Sequence, residues 1–162
     1  MVNRTHDNRP SGGHSQPTYG MGGGRSQGGG NKSFNELADD VLRDYFKSGL
    51  FDEILKMGSS KNLDILLEET ERFVRELGSQ LTTGQIRNVY DKAIKANDLN
   101  ELKMIRPQLA YIAGREKNDN QKKFLAFLDK IIKLVQSEEQ QKNFNVFFEA
   151  IIAYHKYYGK NN

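Results

Sequence analysis

The side chains able to do chemistry in this 162-residue chain are few and scattered. There is no cysteine, which removes thiol nucleophiles, disulfides, iron–sulfur clusters and thiolate-held zinc in one step. Of the three histidines, His6 and His14 lie in a glycine-rich stretch that offers no fixed geometry, and His155 stands alone near the end of the last apolar-periodic segment. A single imidazole among tyrosines reads as a packing or hydrogen-bonding group rather than a general base. The acid pairs Asp39-Asp40, Glu68-Glu69 and Glu138-Glu139 are adjacent in sequence. Neighbours on a helix point about 100° apart, so no pair forms a carboxylate dyad or a metal cage. Neither a phosphate loop nor a dinucleotide fingerprint is present, and we expect no catalytic residue, metal site or cofactor.

Arginines are more informative. Arg87 projects from the flank of the apolar stripe Ile86, Val89, Tyr90, and Arg106 and Arg115 bracket the segment from Pro107 to Gly114. A guanidinium at an element boundary is free to leave its own helix, and its planar fork suits paired contacts to phosphate oxygens. The alternative for each is a salt bridge to an acidic neighbour or a favourable position at a helix C-terminus. Charge is also uneven along the chain. Residues 33–81 carry 6 basic and 11 acidic side chains, residues 82–135 carry 11 and 6, and residues 136–162 carry 3 of each. The middle third is therefore the cationic part, and clustered cations attract polyanions.

The elements that must hold these groups are helical. Residues 1–32 contain 9 of the 15 glycines among serine, asparagine and glutamine, and with too little apolar surface to offset ordering entropy they read as a disordered tail. From residue 33 to 162 we expect a single domain. Ser33 with Glu36, Thr82 with Gln85, Asp98 with Glu101 and Ser137 with Gln140 are helix-start signatures, each followed by apolar residues at spacings of three and four. The first helix is expected to reach about Lys47, and a third to stop at Gly78. Pro107 should break the chain so that Leu109–Arg115 forms a separate short helix, with residues 116–120 as a loop. Phe144, Phe147, Phe148 and Ile151 fall on one stripe and are expected in the core; Tyr154, Tyr157 and Tyr158 are left open. No alternating strand pattern occurs. The expected fold is an all-α compact bundle of five to seven helices. No run reaches the roughly 20 apolar residues of a membrane span and the N-terminus lacks a secretory core, so a soluble, cytoplasmic protein is expected.

Three stretches carry a family resemblance: Leu81-Thr82-Thr83-Gly84-Gln85-Ile86-Arg87-Asn88-Val89-Tyr90, Leu109-Ala110-Tyr111-Ile112-Ala113-Gly114-Arg115, and Phe147-Phe148-Glu149-Ala150-Ile151-Ile152-Ala153-Tyr154-His155-Lys156-Tyr157-Tyr158-Gly159. In this order and spacing they resemble the small subunit of the type III-A CRISPR Csm effector complex, over roughly residues 34–160. The resemblance implies a non-catalytic helical subunit that stacks in several copies. Its implied partners are CRISPR RNA, target RNA, the backbone repeat subunit, the large polymerase-type subunit and further copies of itself. It places RNA binding on Arg87, Arg106 and Arg115, with Lys92, Lys95, Lys122, Lys123 and Lys156 as weaker candidates. The rival expectation is a purely structural helical adaptor whose basic middle meets acidic protein.

Overall fold

The computed structural model describes residues 30–160. Among them the chain is all helix: α1 (Phe34–Asp44), α2 (Leu50–Ile54), α3 (Leu63–Phe73), α4 (Thr83–Lys95), α5 (Leu99–Lys103), α6 (Ile105–Arg115), α7 (Asp119–Leu134) and α8 (Glu138–Tyr158). Helices α5 and α6 meet at Met104, whose own backbone stays helical, so the pair acts as one bent rod and the bundle counts seven helices. The tail expected over residues 1–32 lies almost wholly outside the described residues.

The helix starts follow the local chemistry that the sequence carries. The Ser33 hydroxyl accepts from the Glu36 amide at 3.3 Å while the Glu36 carboxylate accepts from the Ser33 amide at 2.7 Å, and Thr82 and Gln85 repeat the arrangement at 3.1 and 2.9 Å. Asp98 and Ser137 cap α5 and α8 through the amides of Glu101 and Gln140. Several boundaries differ from expectation. α1 stops at Asp44, and Ser48 and Gly49 adopt left-handed φ of 57° and 79° to turn the chain into α2. Pro107 does not break a helix: it occupies the first turn of α6, where its missing N–H would have had no intrahelical partner, and the interruption falls at Met104 instead. α7 begins at Asp119, capped by the Asn118 side chain on the Asn120 amide at 2.8 Å, inside the stretch expected as loop.

α7 is the centre. Phe124, Leu125, Ala126, Phe127 and Leu128 are consecutive and all buried, so over this stretch α7 is enclosed on every side, with its charged residues before and after it. α1 and α6 pack along it, and α8 lies against α3 and α4. The core is a set of phenylalanines from distant segments: Phe46 stacks on Phe127 at 4.6 Å, Phe73 stacks on Phe124 at 4.7 Å, and Phe73 meets Phe127 edge-on at 4.9 Å. Such ring pairs contribute about 0.5–1.5 kcal/mol each beyond their buried area. α3 is continued by one π turn, Val74–Gly78. At its end Gly78 presents bare backbone to the Phe124 ring, where a Cβ would sit 2.7 Å from Cε2, so the missing side chain lets the turn close on the ring stack. Phe144, Phe147, Phe148 and Ile151 are buried, as the stripe on α8 predicts.

Candidate nucleic-acid interface

α4 is buried on one side only. Ile86, Val89 and Ala93 face the core; Arg87, Asn88, Lys92 and Lys95 face outward, rising over about 12 Å from Arg87 to Lys95 at 1.5 Å per residue. α8 and α6 flank this helix and add their own cations. Arg87 shares a depression of about 310 Å³ with Lys156 of α8, floored by Ile152 and Ala153. On the other flank, Lys92 Nζ donates to Gln108 Oε1 of α6 at 2.8 Å. Lys92 and Lys95 line a second depression with Met104. Arg115, in the last turn of α6, lies beside Tyr111: its Cζ is 5.7 Å from the ring centroid and NH1 donates to the hydroxyl at 3.4 Å. Arg87, Lys92, Lys95, Arg115 and Lys156 are all exposed, and none has a carboxylate within 4 Å among the described residues. Acids are not absent from this side. Asp91 and Glu149 lie near Tyr90, whose hydroxyl is held above its usual range first by burial and then by those two charges.

The other three candidates sit elsewhere and are differently engaged. Arg106 Nε meets Asp129 Oδ1 at 2.9 Å across the α6–α7 contact. Lys122 approaches Asp119 at 3.9 Å, and Lys123 approaches Asp40 at the same distance. Asp40 is itself buried and also accepts from Lys32 and Arg43, and these two hydrogen bonds hold its carboxyl below the usual range. Sequence position treats Arg106 and Arg115 as equivalent brackets; tertiary structure ties the first into an ion pair and leaves the second open.

His155 is buried, and its Nε2–H donates to the Leu81 carbonyl at 2.9 Å. Burial lowers its pKa, opposed in part by the backbone carbonyls around it. The ring belongs to a clasp in which Lys160 N donates to Ser79 O at 3.1 Å and Thr83 Oγ1 to Lys160 O at 3.1 Å, fastening the end of α8 to the start of α4. Tyr158 is tied to Glu71, whereas Tyr157 is 80% exposed. Tyr111, exposed beside Arg115, was carried in a motif but not singled out as a site residue. The signal was present, since it lies off the α6 apolar row Ile105, Leu109, Ile112, Ala113 and four residues before an arginine.

The family model described as Csm2 Type III-A matches residues 60–161, most of the described bundle from the approach to α3 through the clasp. The chain belongs to the Csm2 Type III-A family. It is thus a small subunit of the type III-A Csm complex, with other Csm subunits as its partners. All three resemblance stretches fall inside the matched region, while α1 and α2 lie before it. Comparison with curated proteins and with solved structures returned no match. No described helix is long and apolar enough to cross a membrane.

Proposed function

We propose that this Csm small subunit holds guide and target RNA by their backbones and breaks no bonds itself, working in the cytoplasm as several stacked copies within an antiviral ribonucleoprotein. The observation that carries this reading is the exposed set Arg87, Lys92, Lys95, Arg115 and Lys156 on α4 and its two flanking helices, none of them in a salt bridge among the described residues. Guide pairing supplies sequence specificity in RNA-guided complexes, so a subunit of this kind needs only charge and shape. Repetition along one strand turns a few weak contacts per copy into a stable assembly. It also needs a head-to-tail contact between unlike faces, for which the acidic residues of 33–81 and the basic residues of 82–135 are suited. Arg106, Lys122 and Lys123 rank below the others because their charge is already partnered.

The test is retention of RNA by the assembled complex. Changing Arg87 and Arg115 together to alanine should leave helix content intact and release guide or target RNA; full retention refutes the assignment. Protein crosslinks without RNA crosslinks at these positions would establish the adaptor instead.

A further inference from the structure

Between α4 and α6 lies a depression of about 410 Å³ lined by Asn88, Gln108, Tyr111 and Arg115, with Gln85 and Glu116 at one end. We infer that Tyr111, steadied by Arg115, is a stacking seat for an unpaired nucleobase of single-stranded RNA, a contact distinct from the backbone grip and resting on that reading. The ring is 65% exposed on a helix whose Ile105 and Leu109 are buried and whose Ile112 is half-buried. Its orientation is fixed by the guanidinium beside it, through the 5.7 Å ring contact and the hydroxyl hydrogen bond. A flat aromatic face next to an arginine with no carboxylate partner is the pairing that single-strand binders use, because every base has a π-face and the cation adds to it.

Polar groups in the same depression point to a base edge rather than an aliphatic guest. Gln85 is engaged at both ends of its amide: its Oε1 accepts from the Thr82 amide and its Nε2 donates to Glu116. Gln108 has its carbonyl taken by Lys92, which leaves its amide N–H groups free to donate. Asn88 is exposed with no side-chain hydrogen bond among the described residues, and so offers both a donor and an acceptor. A base stacked on Tyr111 would thus meet Asn88 and Gln108 at its edge, with backbone phosphates left to Lys92 and Arg115. An acidic protein segment fits less well. Its carboxylates could use the cations and its backbone the amides, but it brings no planar ring to the open face of Tyr111.

The experiment uses the full chain, a single-stranded RNA carrying 2-aminopurine, and a double-stranded RNA of the same length. Tyr111→Ala is expected to weaken single-strand binding about tenfold, the effect of losing one stacked base, and to abolish the quenching of 2-aminopurine. Duplex affinity and the salt dependence of binding should not change, and Tyr111→Phe, which keeps the ring and loses only the hydroxyl bond to Arg115, should hold single-strand binding within about threefold of the parent. Equal loss on both RNAs, no loss on either, or a flatter salt dependence overturns the stacking seat while leaving backbone binding standing. If the parent chain binds neither RNA, the backbone reading falls first and this one with it. Unchanged RNA binding together with loss of association with the other Csm subunits makes the depression a protein contact and overturns the inference. Melting of each variant checks that an exposed side chain has been changed without disturbing the fold.

Discussion

Replacing Gly159 by alanine tests the clasp that fastens α8 to α4. The backbone there has φ −80°, so alanine meets no conformational objection; the objection is space. A Cβ would stand 2.3 Å from His155 Cε1, 2.4 Å from Nε2 and 2.6 Å from the His155 carbonyl oxygen. Ordinary contact begins near 3.4 Å, so the ring must retreat by about 1.1 Å, the difference between 3.4 and 2.3. That movement breaks its 2.9 Å hydrogen bond to Leu81 O, and no movement of the ring relieves the clash with the backbone oxygen. An orphaned buried carbonyl costs about 1–3 kcal/mol and overpacking a similar amount. With partial relaxation we expect a loss of about 3 kcal/mol, a large share of a domain's 5–15 kcal/mol. Urea unfolding of the full chain measures it as a lower midpoint at unchanged slope. Gly114→Ala is the control: nothing lies within 4 Å of its Cβ position inside α6, and it should be neutral or gain up to about 1 kcal/mol. A shift below about 0.5 kcal/mol for Gly159→Ala refutes the close-contact account.

Two further outcomes follow from the same geometry. Binding of single-stranded RNA should weaken with salt at a slope of about 0.7 per phosphate contact, so the Arg87 and Arg115 double change should flatten the log–log slope by about 1.4, whereas Arg106→Ala should leave the slope and lower the stability read from urea unfolding by about 1 kcal/mol through its lost Asp129 partner. Equal slopes for the two variants contradict the division between open and paired arginines. His155 is held neutral by burial, so its folded pKa lies below its unfolded value near 6.5. As pH falls through 6.5 the unfolded chain takes up the proton first, and stability declines from there down to the folded pKa. His155→Gln should flatten that decline in a urea midpoint series from pH 7.5 to 5; an unaltered pH profile excludes His155 as its source.

The fold was readable where its causes are local. Capping boxes at Ser33 and Thr82 and the caps at Asp98 and Ser137 act within four residues, and the stripes on α4, α7 and α8 repeat within a turn, so both appear in the chain order itself. Misplaced boundaries have tertiary or positional causes. Pro107 was expected to divide a helix because its effect depends on which turn it occupies, and that depends on where Met104 bends the rod. The π turn at Val74–Gly78 answers to the Phe124 ring, 46 residues beyond Gly78 in the chain. The candidate interface was legible as a charge excess over residues 82–135 but not as a surface. Asp129, 23 residues from Arg106, decides that arginine's engagement, and no spacing rule announces it. Tyr111 was visible as an aromatic off its helix's apolar row; what gives it meaning is Asn88 of α4 lining the same depression.

α4 is held inward by Ile86, Val89 and Ala93, with Tyr90 edge-on against Phe148 and the clasp at its start, whereas Arg87, Asn88, Lys92 and Lys95 on its outer side meet water. Residues that anchor the helix and residues that set its charge are therefore different residues. One lysine or arginine of the outer side can then be exchanged without disturbing the side chains that face inward. The exterior charge is thereby adjustable on a mount that stays as it is.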